Sequence, residues 1–242
     1  MFSRIIDDKT YTFGVSGKLW RNGLVMYDHQ TETLWSGVTG AAIEGKLKGK
    51  KLEILAAQPK IRWKDWKVKY PNSQVLTLDG FQDFDEDVYA DYHMGGMTGL
   101  FAPEHRNDSL PPKALVLAIR IGEHTRAYPL DIFKQTKIVT DTVAGTELVV
   151  YRDPESEASA IYDRVVDGQT LAFKPGKTWT TLEDTTTGST WSMITGKAVS
   201  GPLQGKPLRR IPHYQIYWFG LVDFYPQTTL YTPEKSVSKN KR

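Results

Sequence analysis

The chain contains no cysteine in 242 residues. That removes disulfides, zinc–thiolate sites and thiol nucleophiles from the readings open to it. Charge of one sign is also scarce, with a formal net of only +3. The Lys-rich stretches, Leu47–Leu52 and the tail from Lys235, read as a solvated loop and a frayed end, not as a nucleic-acid face. No apolar run approaches the ~18–20 residues of a membrane span. Met1-Phe2-Ser3-Arg4 does not open a secretory signal. The compartment stays open on these grounds. Histidine is sparse too, and the five present (His29, His93, His105, His124, His213) form no His-x-His or His-x-x-x-His pair.

What the chain does have is aromatic side chains and glycine, with 7 Trp, 12 Tyr and 20 Gly. Short apolar segments separated by Gly turns predict a mainly β protein with few short helices and no βαβ alternation. A repeat organises it. Asp28–Leu52 and Asp184–Leu208 align without a gap and share 12 of 25 residues. Upstream, Arg4–Phe13 matches Arg164–Phe173, and downstream Trp63, Tyr70 and Pro71 match Trp218, Tyr225 and Pro226. Similarity of this kind is the mark of internal duplication, and two tandem related β-rich lobes are expected. On this reading residues 2–78 are a partial first repeat. Residues 79–113 are a connector, acidic and then rich in Gly and Pro. Residues 114–231 are a complete second repeat, and 232–242 are a disordered tail. The expectation is that the first copy lacks its N-terminal half, which would leave strand edges open to homo-oligomer formation.

Within this frame, Ala114–Ile121 reads as the clearest buried strand, and Asp167-Gly168 as a hairpin turn. Leu130–Gln135 reads as a short helix. Strands are also expected over Leu52–Ala56 and Gln74–Leu78. Trp63–Tyr70 fits either a helical turn or an alternating strand. The glycines at 40, 45 and 49, and at 196, 201 and 205, are expected to serve turns with positive φ, because they follow no phosphate-binding fingerprint.

The chemistry-bearing candidates are few. Asp28-x-x-Thr31-x-Thr33-x-Trp35 recurs as Asp184-x-x-Thr187-x-Ser189-x-Trp191. A carboxylate followed by hydroxyls at this spacing closes an Asx-type turn that the Trp pins to the core. The alternative is a ligand-binding role for Asp28, His29, Trp35, Asp184 and Trp191. His93, Met94 and Met97 form an imidazole–thioether group of the kind copper accepts, against the plainer reading of a Gly-rich surface loop. The acidic run Asp79, Asp83, Asp85, Glu86, Asp87 and Asp91 lacks the EF-hand spacing. No cofactor is expected, no residue is assigned a catalytic role, and enzymatic activity is left uncertain, leaning to none.

By the second copy the series VLAIRIGEHTRAYPL, DTVAGTELVVYRDP, RVVDGQTLAFKPG and DTTTGSTWSMITGKAVSGPLQGKPLRRIP resembles the bacterial and archaeal domain-of-unknown-function family 3179. The resemblance covers nearly the whole chain outside the tail, and it implies no established activity. Many members of that family carry a Cys-Pro-x-Cys-like element after the strand that here ends at Tyr151. This chain has Arg152-Asp153-Pro154-Glu155 in that place. Three functional readings follow: a non-catalytic β-rich scaffold or interaction domain; a small-molecule or carbohydrate binding module using aromatics such as Trp20, Trp66, Trp179 and Tyr217; and a truncated relative of a metal or redox protein whose thiols are missing here.

Overall fold

The computed structural model describes residues 1–55, 60–75 and 89–233. The acidic residues Asp79–Asp87, the ends of the strands expected at Leu52–Ala56 and Gln74–Leu78, and most of the tail lie outside them. The protein is mainly β, as its composition predicts. Its strands form two antiparallel meanders, a four-stranded sheet, a three-stranded sheet and two short ribbons.

The buried centre is the three-stranded sheet of Ile138–Val143, Thr146–Arg152 and Ser159–Asp163, with Thr146–Arg152 in the middle. Alternation along the middle strand sends Leu148 and Val150 to one face and Val149 and Tyr151 to the other. Both faces are covered, so the strand reads as the unbroken apolar run LVVY. On one side lies the four-stranded sheet, in the order His213–Tyr217, Leu115–Ile121, His124–Pro129, Thr229–Leu230. Its last strand is parallel to its neighbour and the others are antiparallel. Leu117, Ile119 and Tyr128 face the three-stranded sheet. Val116, Ala118 and Ala127 face outward, under the helix Trp218–Phe224. On the other side lies the C-terminal meander of Phe173–Pro175, Thr181–Asp184, Thr190–Ser192 and Ala198–Ser200, which contributes Leu182, Trp191 and Ala198.

The N-terminal meander has the same sequential order, with strands Phe13–Trp20, Gly23–Asp28, Leu34–Ser36 and Ala42–Glu44. Ile6, Tyr11, Trp35, Ala42 and Leu52 form its own core. The two meanders coincide in detail. Phe13 pairs with Asp28 as Phe173 pairs with Asp184. Phe13 meets Trp35 edge to face at 5.8 Å, and Phe173 meets Trp191 at 6.0 Å. Ser3 N–H donates to Glu53 O and Asp163 N–H to Arg209 O; Leu55 N–H donates to Met1 O and Ile211 N–H to Ile161 O. All six glycines picked out in the sequence have positive φ. At Gly40 and Gly196 a Cβ would also lie 2.6 Å from the ring of Phe2 or Tyr162, so the turn sits directly on an aromatic ring.

Several elements differ from the sequence reading. Trp63–Lys69 is a helix. Its Trp66 and Tyr70 pack against the C-terminal meander core, and that distant contact selects helix over strand. Leu52–Leu55 is not a strand. It makes an isolated bridge, Ile54 to Phe2. Gln74 and Val75 have no regular structure. The segment Leu130–Lys134 is a single 3₁₀ turn. Within the connector, Ala90–Met94 is helical, which its Gly- and Met-rich surroundings did not signal.

The connector straps the N-terminal meander to the helix Trp218–Phe224. Arg21, in the left-handed turn Arg21-Asn22, donates from Nη1 to Asp223 O at 2.7 Å and from Nη2 to Glu104 Oε2 at 2.6 Å. Asn22 exchanges two hydrogen bonds with the Phe101 backbone. The His105 amide donates to the buried Asp223 carboxylate, and Trp218 Nε1 donates to Asn107 O. Trp20 and Phe224 close the joint edge to face at 5.3 Å. Among the described residues no helix is long and apolar enough to cross a membrane.

Candidate functional site

The repeated Asp motif is built first by local hydrogen bonding. Asp28 is fully buried. Its Oδ1 accepts from Thr31 N at 2.6 Å, and its Oδ2 accepts from Trp35 Nε1 at 2.9 Å. The Thr31 hydroxyl meets Thr33 Oγ1, which in turn accepts from the Leu47 amide. Burial pushes the Asp28 carboxyl up, but the bonds from Trp35, Thr31 and Gln30 outweigh it and hold the group below its ordinary value. Asp184 repeats the pattern: Oδ1 accepts from Thr186 and Thr187 N–H, Thr187 reaches Ser189, and Ser189 Oγ accepts from Leu203 N–H. One contact does not repeat. Trp191 Nε1 is buried without a hydrogen-bond partner. Asp28, Trp35, Asp184 and Trp191 are therefore brought together in pairs inside two separate meanders, where backbone donors take up both carboxylates. His29 sits apart on the surface, its ring edge to face with Tyr27 at 4.9 Å.

The second group, His93, Met94 and Met97, lies on and beyond the helix Ala90–Met94. His93 Nδ1 is 2.6 Å from Tyr217 Oη, within an aromatic group that includes Tyr89 and Tyr92. Met94 and Met97 are exposed. Among the described residues no three His, Asp or Glu side chains are grouped to hold a metal ion. The four aromatics considered as ligand stackers are partly buried in separate places. Trp66 stacks on Tyr70 and donates to Ser73, Trp179 packs on the C-terminal core, Trp20 is at the strap joint and Tyr217 is beside His93.

A cleft that the sequence did not reveal lies between the N-terminal meander and the strand His213–Tyr217. Its volume is about 300 Å³. Phe2, Val38, Ile54 and Leu55 line it from the meander side. Pro212, Tyr214 and Ile216 line it from the sheet side, with His213, Gln215 and Arg120 as its polar groups. Arg120 lies over the Tyr225 ring at 5.2 Å and pairs with Glu123, while its Nε is buried without a partner. His213 Nδ1 is 3.3 Å from Ile211 O, and its Nε2 is 3.4 Å from Ser159 Oγ. Burial, with help from the nearby Arg210 charge, pulls His213 below its ordinary value and favours neutral imidazole. Walls that are mostly apolar, with a few convergent polar groups, are the usual make-up of a small-ligand site. A second, larger hollow of about 1170 Å³ runs along the edge strand Ile138–Val143. Its central charged pair is engaged: Arg126 grips Asp141 through two nitrogens, and Tyr128 Oη donates to the same carboxylate. Thr136 Oγ1 bonds the backbone of Ile138, and Asp141 Oδ1 accepts from Thr142 N–H, which blunts the edge.

The segment Arg152–Glu155 forms a tight turn after the middle strand. The buried Asp153 accepts from Ser156 N and Oγ on Oδ2, and Lys137 Nζ lies 2.5 Å from its Oδ1. Burial pushes the Asp153 carboxyl up, and the contacts from Lys137 and Ser156 bring it below its ordinary value.

The family model described as protein of unknown function (DUF3179) matches residues 1–228. The chain belongs to that family. No curated protein and no solved structure matches it.

Proposed function

We propose that this DUF3179 member is a non-catalytic, β-rich binding module whose ligand seats in the cleft between the N-terminal meander and the strand His213–Tyr217. The cleft is the observation that carries the reading. It is apolar, is assembled from segments far apart in the chain, and offers only a histidine, a glutamine and an arginine as polar groups. The recurrence of the Asp-Thr-Trp motif supports it indirectly. We read the two meanders as copies of one unit, and in both the Asp-Thr-Trp motif is spent on closing a turn, which leaves surfaces outside the motif, the cleft among them, as the place where function can differ. Its size, about 300 Å³, suits a compact ligand at the lower end of small-molecule sites.

The test is a binding screen of small aromatic and branched aliphatic compounds against the full chain, followed by amide chemical shifts or thermal melts. Hits are expected to shift residues of Val38, Ile54 and Gln215, and Ile54→Trp, which fills the mouth of the cleft from a position 41% exposed, is expected to abolish binding while leaving the melt unchanged. Hits that bind the Ile54→Trp protein equally well would overturn the assignment.

A further inference from the structure

Arg152 closes the middle strand Thr146–Arg152. The residue is only 9% exposed, and its Nε is buried without a hydrogen-bond partner. Among the described residues its guanidinium makes no side-chain hydrogen bond or ion pair. Two acids, Glu157 and Asp153, act on it through their charge, and each also meets a lysine. Asp153 holds Ser156 and Lys137. Glu157, in the left-handed turn position, is 4.0 Å from Lys60 Nζ. A buried donor without an acceptor is costly, and here that donor is Nε, the Nη atoms not being buried in the same way.

The surroundings favour an anion. Arg152, Lys60 and Lys137 against Asp153 and Glu157 leave one net positive charge in the group (three minus two). Ser159 is directly opposite Arg152 in the strand pairing, so both side chains leave the sheet on the same face. The Ser159 hydroxyl lies 3.4 Å from His213 Nε2, to which it donates when the ring is neutral with its Nδ1–H on Ile211 O. Burial pulls the Arg152 guanidinium below its ordinary value, while the charges of Glu157 and Asp153 act the other way.

We propose that Arg152 anchors an oxyanion-binding site, taking the carboxylate or phosphate end of a small ligand in the planar two-donor grip that arginine offers. The site adjoins the cleft, which His213 also lines, but the proposal does not rest on the cleft reading. Melting temperatures of the full chain are compared in chloride, acetate and phosphate at equal ionic strength. One or both oxyanions raise the wild-type value over chloride, by about 3 °C at a tenfold excess over Kd. Acetate and phosphate serve as the two arms that tell carboxylate from phosphate preference. Arg152→Met melts at or above wild type in chloride, because an uncompensated charge has been removed, and neither oxyanion shifts it. If neither anion stabilises wild type, or both stabilise Arg152→Met as well, the site does not exist. A large loss of stability in chloride for Arg152→Met overturns the proposal too, because it means that the guanidinium is held by the chain. Should that variant fail to fold, Arg152→Gln repeats the comparison. Phosphorus line broadening of inorganic phosphate by wild type then reads the phosphate arm directly, and an unbroadened line beside an unshifted melt in acetate ends the idea.

Discussion

Replacing the buried tryptophans of the two Asp-Thr-Trp motifs separately should give unequal costs. Trp35 and Trp191 are both fully buried, both pack edge to face on a phenylalanine and both stand seven residues after the motif aspartate. Trp→Phe removes the same ring area and leaves the same kind of void at each, so that part of the cost cancels. The polar part does not. Trp35→Phe deletes a 2.9 Å charge-assisted bond to Asp28 Oδ2, worth about 1.5–3 kcal/mol. Trp191→Phe deletes an N–H that has no acceptor, relieving a penalty of about 1–3 kcal/mol. Trp35→Phe is therefore expected to be the more destabilising by about 2.5–6 kcal/mol, read by urea unfolding followed with circular dichroism. The difference should shrink in acid. The folded Asp28 carboxyl titrates below its ordinary value of 3.8, so its contribution is complete above about pH 4 and is lost as the pH falls through that depressed value. Equal costs, or a larger cost for Trp191→Phe, would refute the reasoning.

Three other outcomes are expected. Gly196→Ala puts a Cβ 2.6 Å from the Tyr162 ring at φ +73 and should cost about 2–4 kcal/mol; Gly205→Ala, at φ +87 with open space around it, should cost only the backbone strain of about 1–2 kcal/mol, and thermal melts of the pair separate clash from strain. The folded-state pKa of His213 is depressed below 6.5, so the neutral ring contributes stability above that pH and loses it as the pH falls toward the folded value; His213→Asn should flatten the decline in unfolding free energy below about pH 6.5, and an unchanged slope counts against a buried neutral imidazole. Arg21→Ala removes both the Glu104 pair and the bond to Asp223 O; hydrogen exchange of residues 99–107 should rise more than that of the central sheet, and uniform exchange would show that the strap is held by its apolar contacts alone.

The sequence carried the strands well because each is a local pattern. Alternation and the apolar run of Leu148–Tyr151 marked strands, and the Asp167-Gly168 pair marked a tight turn between Val166 and Gln169, where it sits. The six glycines were legible because a left-handed turn excludes most side chains whatever lies beyond it. The Trp63–Lys69 segment was ambiguous for the opposite reason. Apolar residues at 63, 66, 68 and 70 fit two periods, and the packing of Trp66 and Tyr70 on a core drawn from Val149 to Leu208 chose between them.

The functional features divide along the same line. Composition and motif spacing were enough to exclude thiol chemistry and to identify the Asp-Thr-Trp turn, since those bonds span only seven residues. The cleft, the strap from Arg21 to Asp223 and the unpartnered Arg152 depended on which surfaces meet. So did the difference between Trp35 and Trp191. Two copies of one motif have the same local code, and whether an indole N–H finds a carboxylate oxygen turns on displacements of about an ångström, which packing sets and no spacing in the chain records.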